Sequence, residues 1–202
     1  MTLLRERREP DAREAEENLR VIRALMERST KFSTFSGISG ICAGLASIAG
    51  CIVTRKLGHD PGTFPAAFLT LWSVVIVVAV GTDYLLMKRR AARVGKHVLS
   101  RLGKQMVIAS APGLGMGAVV TLYLLQHKLL GTVFPFWMLA YGIAVSATGL
   151  FSQREVSYLG AAFLLAGTVA LFAPGFGLTM MALTFGGFHI VYGLVMSRKE
   201  GW

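Results

Sequence analysis

Six apolar runs, at residues 32–53, 65–87, 106–125, 135–151, 156–172 and 177–196, dictate what this chain can fold into. A hydrocarbon layer of about 30 Å is crossed by about 20 apolar residues in a helix, with about 17 to 25 as the working range. Every run falls in that range. Inside hydrocarbon each backbone N–H and C=O needs a partner, and a helix supplies it within its own segment. The last three runs are divided by "SQRE" (152–155) and by "APGFG" (173–177), whose Pro and Gly break a helix. The expected fold is therefore all-α: a six-helix transmembrane bundle. Composition agrees, since 16% of residues are charged, against about 25% in soluble domains.

Charge gives the expected orientation. The seven basic residues Lys88, Arg89, Arg90, Arg93, Lys96, Arg101 and Lys104 crowd the loop 88–105, which has no acid. Summed over alternate segments, Lys and Arg number 18 on one side and three on the other. Basic segments stay in the cytoplasm, so both termini (1–31 and 197–202) and the basic loop are expected there. The expected site is a bacterial inner membrane. The same loop should touch anionic lipid headgroups or a protein partner. Val94, Val98 and Leu102, with Leu99 beside them, give it an amphipathic helical pattern. A net charge of +10 is also compatible with nucleic acid, but no aromatic residue between Met87 and Met106 offers a base a stacking surface. No nucleic-acid partner is expected.

Residues 11–30 form a second amphipathic pattern. Ala15, Leu19, Ile22 and Met26 share one face, and Glu16–Arg20 and Arg13–Glu17 are i,i+4 pairs. The pattern predicts a cytoplasmic helix that lies on the membrane, docks on the basic loop, or pairs with a partner protein or a second copy. Docking would bring Leu19 and Ile22 to Val98 and Leu102, with Glu14, Glu16 and Glu17 opposite the bases. The charged first 31 residues lack an apolar core, so no cleavable signal segment is expected.

Chemistry-bearing residues within the spans are few. Asp83, His189 and Ser39 lie at similar depth, roughly 6–10 Å from the cytoplasmic ends of their spans at 1.5 Å per residue. Tyr84, Tyr192 and Thr82 are near them in sequence. A charged group at mid-bilayer costs about 2.5–3.5 kcal/mol on insertion scales, so such residues turn inward and pair. An Asp83–His189 contact is the natural expectation. It could lock helices together or line a proton or cation path. Glycines Gly37, Gly40 and Gly44, then Gly113, Gly115 and Gly117, then Gly186, Gly187 and Gly193, are expected at close helix crossings. "APGLGMG" (111–117) could instead open a broken helix. Cys42 and Cys51 point to opposite helix faces about 13 Å apart and cannot form a disulfide. No metal site, cofactor or soluble-enzyme motif is present in the sequence.

Two resemblances bear on function. "NLRVIRALMERSTKFSTFSGISG" (18–40) resembles the start of a group of uncharacterised bacterial multi-span membrane proteins sharing an IRxLMERSTxF-type stretch. The resemblance implies a sensing or regulatory membrane partner and carries no catalytic residue. "GISG" (37–40) and a histidine in the last span resemble the rhomboid intramembrane serine proteases, in which a serine nucleophile and a histidine base act as a dyad. That would make Ser39 and His189 the pair. The chain departs from the rhomboid pattern: its GxSG lies in the first span rather than the fourth, and its first loop is short. The reading drawn from the sequence is a non-enzymatic scaffold or sensor acting through its cytoplasmic face. A small transporter or channel using Asp83 and His189 is the alternative, and an intramembrane hydrolase the remote one.

Overall fold

The computed structural model describes residues 14–22, 37–93 and 101–200. They are helical nearly throughout, and no strand occurs among them. The long elements are α1 (Gly37–Lys56), α2 (Pro65–Arg93), α3 (Arg101–Gln126), α4 (Val133–Gly149) and α5 (Arg154–Phe172). The final run is composite: α6 (Gly177–Met181), a π-helical segment (Ala182–Phe188) and α7 (His189–Glu200). Six helical runs are thus long and apolar enough to cross a membrane. By length and composition this is a multi-pass membrane protein.

The helix ends follow from local chemistry. Gly58 ends α1 in the left-handed region at φ 64°, and the His59 N–H reaches back to the Thr54 carbonyl at 3.0 Å. Such a bond satisfies a carbonyl left open by the last turn. Asp60 then folds the loop onto α2, its Oδ1 accepting from Gly62 N–H at 2.9 Å and Thr63 N–H at 3.1 Å. Pro65 opens α2, where its missing N–H costs nothing. Lys128 ends α3 in the left-handed region, with Leu129 N–H bonded to Leu124 O at 2.7 Å.

Neighbours in sequence pair as antiparallel hairpins, α1 with α2, α3 with α4, and α4 with α5. The bundle closes when α1 packs along the π-helical segment and α7, bringing distant parts of the chain together. The centre is aromatic and sulfur-rich. Phe68, Trp72, Phe134, Met138 and Phe163 form one buried cluster, with Phe68 edge-on to Phe134 at 5.7 Å. Helices α2 and α3 turn most of their surface outward: 17% of each is buried, against 44% of α1. Their exposed Val77 and Ile108 suit a lipid-facing surface.

Hairpin alternation gathers Gly37, Arg93, Arg101, Gly149, Arg154 and Glu200 at one end, called the basic end below. Residues 14–22 are helical and exposed at every position, including Leu19 and Ile22. The rest of the expected amphipathic helix (11–13 and 23–30), the first five residues of the first apolar run (32–36), and Val94, Lys96, Val98 and Leu99 lie outside the described residues.

Candidate functional site

The site starts from a helix irregularity. Thr184 turns its hydroxyl back on its own helix, Oγ1 donating to the Met180 carbonyl at 2.8 Å. A side chain that binds the i−4 carbonyl competes with the backbone ladder. Gly186 and Gly187 follow at once, and the ladder widens to the π form over Ala182–Phe188. Such single-turn π segments are rare in α-helices and recur at functional positions. His189 is the first residue beyond it and is 9% exposed.

Aromatic rings surround the imidazole. Phe185 stacks on it at 6.0 Å and Phe163 meets it edge-on at 5.5 Å. Tyr141 of α4 lies 5.3 Å away ring to ring, and its Oη is 2.7 Å from His189 Nε2. The second nitrogen, Nδ1, lies beside the Thr184 and Phe185 carbonyls but makes no hydrogen bond of good geometry. Two carbonyls beside Nδ1 favour the tautomer with the proton there, leaving Nε2 to accept from the Tyr141 hydroxyl.

Asp83 is held from the other side. It is half-buried on α2, and the Ser39 side chain of α1, 4% exposed, hydrogen-bonds it. Tyr141 lies within electrostatic reach of this carboxyl. The polar residues therefore fall in series, Ser39 with Asp83 and then Tyr141 with His189, drawn from α1, α2, α4 and α7. The sequence suggested a direct Asp83–His189 contact; the hydrogen bonds give each a different partner, with Tyr141 standing between the two pairs. Tyr84 is exposed, turned away from the pairs, while Thr82 and Tyr192 are half-buried. The Ser39 hydroxyl faces a carboxyl and the imidazole faces a phenol, so the two groups of a Ser–His dyad are engaged elsewhere.

Small residues let these helices meet. A Cβ on Gly37 would run into Gly193 O and Ser197 Oγ. On Gly40 it would lie 3.1 Å from His189 O, and on Gly44 2.6 Å from Gly186 O. Gly113 and Gly117 of α3 face Ala140 of α4 at 2.8 and 3.0 Å on the same measure. Gly115 meets nothing within 4 Å, and Gly187 meets only Leu183. A second seam that sequence reading did not single out joins α4 and α5. Gly142 abuts Leu164, Gly149 abuts Ser157, Gly160 abuts Ser146, and Gly167 abuts Leu139.

At the basic end Lys88, Arg89, Arg101 and Lys104 are exposed. Arg90 and Arg93 lie on the last turns of α2, their side chains outside the description, as is all of Lys96. Lys199 of α7 forms an ion pair with Glu155 of α5, tying the last turn of one helix to the first turn of another. Among the described residues no group of three His, Cys, Asp or Glu side chains is placed to hold a metal, and Cys42 and Cys51 are free thiols.

No protein-family model, curated protein or solved structure matches this chain.

Proposed function

We propose that this protein sits in a bacterial cytoplasmic membrane with both termini inside. There it acts without enzymatic activity, as a scaffold or as a sensor and regulator working through its cytoplasmic face. The observation that carries this reading is the charge distribution on the bundle. Lys88, Arg89, Arg101, Lys104, Arg154, Arg198 and Lys199 share one end, whereas Arg55, Lys56 and Lys128 stand at the other. Retention of basic segments in the cytoplasm makes the first end the inner one. Anionic headgroups attract each such cation by about 1 kcal/mol. The helix at residues 14–22, exposed along its whole length, is available on the same side for a protein partner or a second copy.

Single cysteines test the orientation. In intact cells a membrane-impermeant maleimide should label position 62 and spare positions 104 and 198. The opposite pattern overturns it. Photo-crosslinkers at Leu19 and Ile22 test the working face, and should give a discrete adduct that Leu19→Glu removes.

The series Ser39, Asp83, Tyr141 and His189 favours a second reading, a small transporter or channel. Four polar side chains from four helices at one depth are the raw material of an ion path. Proton or cation flux into liposomes that is lost in both Asp83→Asn and His189→Phe would replace the scaffold reading with this one.

A further inference from the structure

We propose that Asp83 is a proton-binding site within the bilayer, and that the Ser39–Asp83 bond is how its protonation state reaches α1. The inference rests on the sensing reading above and names its chemical stimulus.

The argument starts from what surrounds the carboxyl. Asp83 lies ten residues inside the basic end of α2, well within the span. Ser39 is its hydrogen-bond partner, and among the described residues no cation forms an ion pair with it. The helix packed along α2 is α1. Its titratable or charged groups are Cys42, Cys51, Arg55 and Lys56, the last two at the opposite end. From α4 the nearest such group is Tyr141, and from α7 it is His189, already held by Tyr141. On α2 itself Lys88 lies more than a turn further toward the basic end, and Tyr84 faces outward. A carboxylate in hydrocarbon without a cation is expensive, and a carboxylic acid there is not. Proton uptake is the route open to this group.

The two forms differ in what they ask of Ser39. A carboxylate only accepts, so the hydroxyl must donate to it; a carboxylic acid can donate its own proton to the hydroxyl. Ser39 lies in the first turn of α1, where Gly37 and Gly40 meet Gly193 and His189 O. A change at this bond is therefore felt where α1 crosses α7, at the basic end.

Carbodiimides separate this idea from its alternatives. The reaction needs the protonated acid: the carboxyl oxygen adds to the central carbon, and the proton goes to nitrogen. The full-length protein in phosphatidylcholine liposomes is treated with lipophilic dicyclohexylcarbodiimide across a pH series, and labelled peptides are located by mass spectrometry. The expected result is labelling of Asp83 that falls as pH rises, and its loss in Asp83→Asn. A water-soluble carbodiimide should instead label Glu155 and spare Asp83, an internal check within the same folded sample. No lipophilic labelling of Asp83 at any pH, or labelling that does not change with pH, overturns the proposal. The scaffold reading, which depends on orientation and partner contact, would survive that failure.

Discussion

Two seams of small residues hold this bundle, and they differ in how the chain reaches them. The α4–α5 seam uses Gly142, Gly149, Gly160 and Gly167 and joins helices separated by four residues. The seam between α1 and the last span uses Gly37, Gly40, Gly44, Gly186 and Gly193, and its two sides are separated by four intervening helices. Closing the first costs little loop entropy; closing the second waits on nearly the whole chain. The first seam joins two regular helices. The second contains the π-helical segment, and Ser39 and His189 lie along it. Backbone contact without side chains thus serves two purposes: a clamp in one place, and in the other a junction where polar groups are presented.

The largest effect should come from the clamp. In Gly160→Leu the new Cβ would sit 2.6 Å from the Ser146 backbone nitrogen, which cannot step aside. Overpacking of this kind costs about 1–3 kcal/mol or more. Thermal unfolding in detergent, followed by tryptophan fluorescence, should show loss of the cooperative transition. If Gly193→Leu proves more damaging than Gly160→Leu, the junction rather than the clamp is the foundation of the bundle.

A smaller effect is expected at the junction's polar pair. Tyr141→Phe removes the hydroxyl from His189 Nε2, and interhelical hydrogen bonds in membranes are worth about 0.6 kcal/mol on average, up to about 1.7. Adding His189→Phe should cost less than the sum of the two single changes, because no orphaned nitrogen is left. Strict additivity in that cycle would show that the 2.7 Å contact carries no coupling.

The Glu155–Lys199 pair sharpens the comparison from outside, since it ties the clamp helix α5 to the junction helix α7. Both groups reach water, so Glu155→Gln should cost only about 0.2–1 kcal/mol. The loss should shrink further in high salt. A salt-insensitive loss would mean the pair is more sheltered than its exposure indicates. Smallest of all, Gly115→Ala should leave the transition unchanged, because nothing lies within 4 Å of the added methyl. A marked shift there would point to a contact with a second copy.

The spans were legible in the sequence because hydrophobic length is a one-dimensional property. So was the common depth of Ser39, Asp83 and His189, which follows from counting residues. Pairing was not legible, because it depends on which faces meet. Tyr141 sits in "FWMLAYGIAV" (136–145), where a tyrosine reads as one more core aromatic. Only the approach of α4 to α7 makes it the partner of His189. The α4–α5 seam carried a signal that could have been found: Gly142 and Ser146 are four apart, and Gly160 and Gly167 lie two turns apart on one face. The π-helical segment had none beyond two adjacent glycines and a threonine.

That segment holds one more residue per turn than an α-helix would, and the surplus has a consequence for insertion and deletion. Removing a single residue between Ala182 and Phe188 would let the ladder return to the α form with little change in length. Everything beyond would then turn by about 100° relative to α6. His189 would leave its phenol and Lys199 its carboxylate in the same stroke, although neither residue had been altered. Among near variants of this chain, a one-residue gap at that place is therefore a change of mechanism written as a change of length.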